Sequence, residues 1–544
     1  MSWIRNRSPQ ESLKILGGLA EICSQLGGPY AKEIYSLFAN GHYLDVINYK
    51  IDYSIQWDTD DLFYTRQIQS LVSKQDFIDL GIDKEQVAYA KFLIAEEKCR
   101  ETNDRFFNGP SPIGDVAVVL HYAQRKIDSI LGPVPNLCDL DFSFGPGATT
   151  STKKSRSHPL VKLGDSPTCS LELARSAGEF LNEIPHWSHI HRNPEGFFKV
   201  KVTPSKLIFV PKDSRTLRSI GVEPSLNGFF QKGVGTYLKK RLYKAGVNLY
   251  DQSRNQEMAK QASVSGAFCT VDLASASDTI SYAVVQNLLP TPWFDLLDKL
   301  RSGVVSYKGK TIELEKFSSM GNSYTFELES LIFYSICYGV CKSLMTDPSE
   351  IGVYGDDLII RTSHYSLLDK VLEYCGFSVN SEKSFTSGLF RESCGADFYN
   401  GTAVRPFYQK TLISDRTLFV MHNWFIRNGE PRLAEYARQC IKPHNLLFGP
   451  DGYGDGHLIG SYRLRQNRRI KRAGYEGGFF DSFTLNPRRF RRMPEVTYVY
   501  PLYCIYVSDP ETEMDHTVLP GTRGYSRISI YTMDRTVFRR PCGG

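Results

Sequence analysis

The residues best equipped for chemistry lie at 351–360, IGVYGDDLII. Two runs of β-branched and aromatic residues flank a Gly-Asp turn, the pattern of a short β-hairpin, which puts Asp356 and Asp357 at its tip. Adjacent carboxylates on an exposed turn repel each other unless a hard cation neutralises them, and Mg²⁺ takes carboxylate oxygens readily. A solvated acidic turn would have the same sequence, because Asp is common in turns for local hydrogen-bonding reasons. A second segment, AFCTVDLASASDTI at 267–280, weights the choice, since Asp272 follows the strand-like run Phe268 to Val271 and precedes a helix start. A carboxylate at that strand end can meet the hairpin pair and complete a site for two divalent ions, the arrangement used for in-line phosphoryl displacement. Its plainer role would be a helix cap.

Polar and cationic partners surround these aspartates in the sequence. In FSSMGNSYTFELES (317–330) a Gly-Asn loop runs into a helix with an apolar face through Leu328, Leu331, Ile332 and Ile336, leaving Ser318, Gly321 and Asn322 for polar contacts. In GFSVNSEKSF (376–385), Gly376 stops the helix containing Leu367, Leu368, Val371 and Leu372, and Lys383 emerges on a strand or loop beyond it. Between Phe197 and Leu242, strand-like runs at Lys199 to Val202 and Leu207 to Val210 precede a basic-ended helix. Lys206, Lys212, Arg215 and Arg218 there offer a basic wall for phosphates or a solvated strand edge. Gly145-Pro146-Gly147, followed by hydroxyls and two lysines, reads as a surface turn rather than a phosphate loop. His186, His189 and His191 in PHWSHIHR lack a further ligand at finger-like spacing, so a half-buried structural segment is expected rather than zinc. From Arg463 to Arg492, arginines interleave with aromatics. Arg463, Arg465, Arg468, Arg469, Lys471 and Arg472 suit a path for single-stranded RNA, by backbone charge and base stacking, or equally a protein-contact or solvated face.

Holding such groups in place takes a large scaffold. At roughly 150 residues per domain, the 544 residues make three or four units with substantial cores. With 41% hydrophobic and 23% charged residues, wholesale disorder and fibrous classes are excluded. The net charge of +6 is too small to demand an anionic partner by itself, so the local clusters must carry that argument. Twelve cysteines without CxxC pairs or dense, even spacing read as reduced, mostly buried thiols. The start, MSWIRNRSPQESLK, lacks a signal-like apolar stretch, and the longest apolar run, Leu331 to Cys341, is far short of a bilayer span. A cytoplasmic setting without a membrane is therefore expected. Helical spacing over Ser12 to Gly27 and Glu85 to Arg100 makes the first 130 residues largely helical, ending at the breakers Gly132-Pro133.

The order of the segments is more specific than any one of them. A basic strand segment, then D-x5-D, S-x2-GN, YGDD, N-x2-K and SGLFRESCGADFY (387–399) resembles motifs F, A, B, C, D and E of right-handed nucleic-acid polymerases. More narrowly, VPKDSRTLRSIGVEP, DQSRNQ, VDLASASD, SSMGN, TFELES and YGDD are similar to the catalytic β subunits of single-stranded RNA bacteriophage (levivirus) replicases, the family of the Qβ replicase. The strong likeness runs from Thr203 to Phe407. It implies an α+β right-hand fold of fingers, palm and thumb, with an antiparallel palm sheet backed by helices. The implied division is 1–130 (N-terminal helical part of the fingers), 131–262 (fingers with the basic nucleotide-binding segment), 263–405 (palm) and 406–544 (thumb and basic C-terminal region).

The activity this resemblance implies is RNA-directed RNA polymerisation. Ribonucleoside triphosphates are joined by two-metal nucleotidyl transfer, without a primer, to copy the viral plus and minus strands. By the same resemblance Asp272, Asp356 and Asp357 hold two Mg²⁺ ions, for which Mn²⁺ can substitute. Lys206, Lys212, Arg215 and Arg218 bind the triphosphate, Ser277, Asp278, Ser318, Gly321 and Asn322 line the nucleotide, and Lys383 protonates pyrophosphate. Implied partners are a single-stranded RNA template, host translation elongation factors Tu and Ts and, in some members, a ribosomal small-subunit protein, in the cytoplasm of an infected bacterium. One departure is Ser323, where the family pattern has Gly. A reverse transcriptase would place an aromatic gate beyond Asp272, whereas Ala274, Ser275, Ala276 and Ser277 are all small, and Asp278 and Asn322 can pair with a ribose 2′-hydroxyl. A non-catalytic RNA-binding scaffold of the same shape would not need all three aspartates.

Overall fold

The computed structural model describes residues 2–157, 159–466, 468, 472, 474, 477–486 and 524–533; Arg469 and Lys471 lie outside the described residues. The first 130 residues are helical, as their spacing predicts, with Pro9–Leu26, Pro29–Ala39, Thr59–Ser73, Lys84–Asn108 and Gly114–Leu131 as the main elements. Local chemistry sets their ends. The Ser8 hydroxyl accepts from the Glu11 backbone N–H while the Glu11 carboxylate accepts from Ser8 N–H, a capping box with Pro9 in the first turn. Gly132, at φ +63, ends the last of these helices.

A short antiparallel sheet forms the centre. Phe268–Val271 pairs with Asp357–Arg361, Val271 opposite Leu358, and the latter strand turns back onto Gly352–Tyr354. The open edge of Phe268–Val271 is covered by residues 378–385: Thr270 N–H donates to the Phe385 carbonyl at 3.2 Å, and Phe385 N–H returns the bond at 2.8 Å. Cys269, Val271, Val353, Leu358 and Ile360 join the largest core, which they share with helices Gly114–Leu131, Thr325–Ser343 and Tyr365–Tyr374. The expected α+β architecture, an antiparallel sheet backed by helices, is thus the one observed.

Two further sheets flank it. One orders Leu217–Val222, Ser205–Pro211, Val304–Tyr307 and Lys310–Glu313; the other orders Phe390–Ser393, Ala396–Tyr399 and Thr402–Ala403. Core packing does not follow chain order. Ile15, Leu19, Ile34 and Leu71 share a second core with Leu418, Phe419, Phe425 and Leu433 of helices Asp415–Arg427 and Pro431–Gln439, so the N-terminal helices pack on these two late helices. Trp3 stacks on Phe483 with ring centroids 4.4 Å apart. Among the described residues all ten cysteines are free and eight are buried, and no helix is long and apolar enough to cross a membrane.

The helix Thr325–Ser343 lies close against Gly114–Leu131 because Gly339 has no side chain: a Cβ there would stand 2.4 Å from the Val119 carbonyl oxygen. Gly339→Val is therefore expected to destabilise the chain by roughly 1–3 kcal/mol, the usual range for overpacking. Calorimetric unfolding checks this, and an unchanged midpoint would count against the close helix contact.

Candidate active site

Asp272 stands one residue beyond Phe268–Val271, across the ladder from the hairpin tip that Gly355 and Asp356 form between Tyr354 and Asp357. Glycine is required at the turn twice over. Gly355 has φ +62, and a Cβ on it would lie 2.6 Å from Phe326 Cε2. Its N–H donates to Ser330 Oγ at 3.1 Å, which ties the tip to the helix behind the sheet.

The three aspartates sense one another. Burial raises the Asp356 pKa and the Asp272 charge raises it further, while Lys383 and Arg218 pull it back. Asp357 is pushed up to about 7 by burial and then by Asp356, with the Cys394 backbone N–H opposing and Asp272 adding to the rise. Like charges gathered at one point behave in this way. No group of three or more His, Cys, Asp or Glu side chains among the described residues stands close enough, as placed, to enclose an ion. Asp357 is engaged by Cys394, and Asp272 Oδ2 accepts from Asn380 Nδ2 at 2.8 Å. The donor set nevertheless suits a hard divalent cation, being all carboxylate oxygen, with raised pKa values at Asp356 and Asp357 that such a charge would reverse.

Several other expected residues converge here. Lys383 is reached by Asp272, Glu392, Tyr408 and Asp357, which together overcome the burial that opposes its charge. Asp278 Oδ1 accepts from Lys316 Nζ at 2.8 Å and Oδ2 from Ser219 Oγ at 3.0 Å. Ser277 Oγ donates to Glu329 Oε2 at 2.5 Å. The Gly-Asn loop docks on the basic strand, Gly221 N–H donating to the Met320 carbonyl at 2.8 Å. Gly321 takes φ +111, and a Cβ there would stand 2.4 Å from the Gly221 oxygen. Asn322 is buried and caps its own turn, Oδ1 accepting from Tyr324 N–H at 3.1 Å, while the buried Ser318 hydroxyl has no hydrogen-bond partner. Lys212 and Arg218 flank the loop between Ser205–Pro211 and Leu217–Val222.

Other expected residues lie apart. Lys206 pairs with Val222 at the far end of that hairpin, roughly 20 Å of strand from Lys212. Arg215 donates to Asn48 Oδ1 at 2.7 Å. Arg463, Arg465, Arg468 and Arg472 are exposed, and Arg465 is paired with Asp481. In the histidine segment, Trp187 Nε1 donates to the Leu163 carbonyl at 2.8 Å and the His191 ring meets the same oxygen at 2.9 Å, a structural arrangement; the His186 side chain is outside the described residues.

Residues 45–475 match the family model described as RNA replicase, beta-chain. The chain belongs to this family. It is 36% identical over 514 residues to the RNA-directed RNA polymerase subunit beta of Escherichia virus Qbeta, covering 90% of this chain and 84% of that one. It is 40% identical over 413 residues to the subunit of the same description from Enterobacteria phage SP, covering 72% and 70%. An insertion-loop deletion mutant of a human picorbirnavirus RNA-dependent RNA polymerase aligns at TM-score 0.44 and 10% identity, over 78% of this chain and 85% of that one. The activity of this replicase family member is RNA-directed RNA polymerisation, a nucleotidyl transfer.

Sequence reasoning did not single out the residues that brace the site of this replicase chain. Lys316, 1% exposed, bridges Asp278 and Glu96 at 2.8 and 3.2 Å; burial opposes its charge, but Asp278 and then Glu96 outweigh it and raise its pKa. Glu329 is 3% exposed, and burial pushes it up to about 8 against the Ser277 hydrogen bond, with Asp356 adding. Ser384 Oγ accepts from Asp272 N–H at 3.0 Å. An acid inside an otherwise apolar helix was the available signal for Glu329; Lys316 offered none.

The raised carboxylates fix a pH dependence. Between the unfolded Asp pKa of about 4 and the folded value of about 7 for Asp357, the folded chain holds more protons than the unfolded one. Stability in chelator therefore falls as pH rises through that window. Asp357→Asn should remove its share of the decline and raise the unfolding midpoint at about pH 8. Calorimetry across the window decides, a wild-type slope in the variant being the contrary result.

Proposed function

We propose that Asp272, Asp356 and Asp357 form the reaction centre of primer-independent, template-directed RNA synthesis that copies the plus and minus strands of a phage genome. The observation that carries this reading is their mutual electrostatic coupling at two paired strand ends, faced by Lys383 and Arg218. The three carboxylates would hold two Mg²⁺ ions, or Mn²⁺ in their place, which supply a lowered pKa at the attacking 3′-hydroxyl and charge neutralisation at the leaving pyrophosphate. Lys212 and Arg218 orient the triphosphate, with Arg215 and Lys206 farther along the basic hairpin. Lys383 donates a proton to the departing pyrophosphate.

Sugar choice falls to the braced carboxylate. Both Asp278 oxygens already accept one hydrogen bond, and each has a second lone pair for a ribose 2′-hydroxyl, with Ser277, Ser318, Gly321 and Asn322 around it. The small residues Ala274 and Ser275 leave room for that hydroxyl. A deoxynucleotide would leave a fixed polar group unsatisfied. The segments 1–130, 131–262, 263–405 and 406–544 serve as helical fingers, basic fingers, palm and thumb, with the N-terminal helices also packed on the thumb segment. Family resemblance supports host elongation factors Tu and Ts and a ribosomal small-subunit protein as partners, in the cytoplasm of an infected bacterium.

Mg²⁺-dependent incorporation of labelled ribonucleotides on a single-stranded RNA template, with the elongation factors added in parallel, is the test. Asp356→Asn should abolish product, and UTP should be used far better than dTTP. RNA binding without synthesis under every condition would favour a scaffold instead. For the C-terminal arginines, changing Arg463, Arg468 and Arg472 to Gln should make template affinity less steeply dependent on salt. An unchanged slope would remove them from the RNA path.

A further inference from the structure

Five cations near the reaction centre form no close ion pair, although Asp272, Glu392 and Asp357 act on Lys383, Glu392 on Lys74 and Asp213 on Lys212 from farther away. None of the ion pairs within 4.0 Å among the described residues includes Lys74, Lys212, Arg218, Lys383 or Lys410. They come from separate parts of the chain. Lys74 caps the helix Thr59–Ser73, Lys212 and Arg218 flank the loop of the basic hairpin, Lys383 follows Asn380, and Lys410 lies beyond the sheet that ends at Thr402–Ala403.

The fold holds them together deliberately close. Ser214 N–H and Oγ both donate to the Ser73 carbonyl, at 3.1 and 2.6 Å, which docks the basic loop beside Lys74. Asp76 N–H donates to the Lys410 carbonyl at 3.1 Å. Lys74 Nζ stands 3.8 Å from the Tyr408 ring centroid, and the Arg405 guanidinium 5.7 Å from the same ring, while Arg405 also pairs with Asp397 at 2.9 Å.

Such crowding is unfavourable for Lys74 and Lys212. Desolvation, then Arg405, Lys410 and Lys383, depress the Lys74 ammonium, with Glu392 opposing. Desolvation, then Arg218, with Lys383 and Lys91, depress Lys212, and Asp213 opposes. Lys212, Lys383 and Lys410 are exposed, so these groups face water rather than a core. The cation–π contact explains where the Lys74 ammonium rests but not why more cations gather around it. A multiply charged anion would relieve the repulsion.

We propose that Lys74, Tyr408 and Lys410 complete, with Lys383 and Lys212, a cradle for the polyphosphate group of a nucleotide, taking the triphosphate on arrival and the pyrophosphate on departure. This rests on the reading of the three aspartates as the reaction centre, since Lys383 is reached by Asp272 and Asp357 and also by Tyr408. Lys74 and Arg405 stand over Tyr408, and Tyr408 and Lys212 are both close enough to Lys383 to interact with it, a compact grouping that fits a polyanion better than an extended RNA strand.

The test uses the full chain, with inorganic tripolyphosphate and pyrophosphate as calorimetric probes. Lys74→Met, which removes the charge and keeps an unbranched apolar side chain, and Lys410→Gln should each weaken binding by about tenfold, and Lys74→Arg should restore most of it. In RNA synthesis both neutral variants should raise the nucleotide KM and the pyrophosphate inhibition constant more than they lower kcat. The first reports the arriving triphosphate and the second the leaving pyrophosphate. Wild-type polyphosphate affinity in both folded variants would overturn the proposal, as would a loss confined to RNA affinity. Because tripolyphosphate binding needs no turnover, a chain that makes no RNA would sink the polymerase reading and still leave the cradle decided on its own.

Discussion

Everything in the centre of this molecule is arranged around the repulsion of three carboxylates. The ladder between Phe268–Val271 and Asp357–Arg361 fixes where Asp272 and the hairpin tip must lie, and the two-residue turn leaves Asp356 no slack. A negative cluster at the end of a small sheet weakens that sheet unless neighbours compensate. The compensation comes from outside the sheet: Lys383 on the covering segment, Arg218 on the basic hairpin, and hydrogen bonds from Asn380 and from the Cys394 backbone. The elements that surround the sheet are thereby bound to it electrostatically as well as by packing.

Two buried charge networks make this binding rigid. Lys316 joins Asp278 beside the central strand to Glu96 on the helix Lys84–Asn108, and Glu96 Oε2 also accepts from Glu315 N–H at 2.7 Å. Burying such a triad costs desolvation that its attraction barely offsets, so it adds little stability. It gives fixed geometry instead, holding the Asp278 carboxylate in one place against an otherwise apolar background. Elsewhere, Arg66 on an N-terminal helix and Arg405 both pair with the fully buried Asp397 of the third sheet. That link joins the beginning of the chain to the strands that follow the aspartates.

Much of the site was legible because its chemistry is local. The hairpin at 352–361, the strand before Asp272 and the stop at Gly376 follow from residue type and short-range spacing, and the structure has all three. What brings Asp278 under Lys316, or Lys74 beside the basic loop, is contact between residues far apart in sequence, which no periodicity encodes. The closure of the N-terminal helices onto Asp415–Arg427 is invisible for the same reason. Each helix shows an apolar stripe, but a stripe does not name its partner.

Ser323 shows how a departure from a family pattern is settled physically. Two positions that require glycine meet at this loop beside Ser323, and they differ in kind. Gly321 is bound by a left-handed backbone and by the Gly221 oxygen; Gly235, on the helix Ser225–Lys244, is bound because a Cβ would stand 2.5 Å from the Ser323 oxygen. Ser323 itself does not adopt a positive φ, and its N–H donates to Gln231 Oε1 at 3.2 Å. Only its backbone is used, so a side chain there costs no strain. The loop therefore depends on glycine at 321 and across the interface at 235, and a serine between them leaves its docking on the basic strand and the helix unchanged.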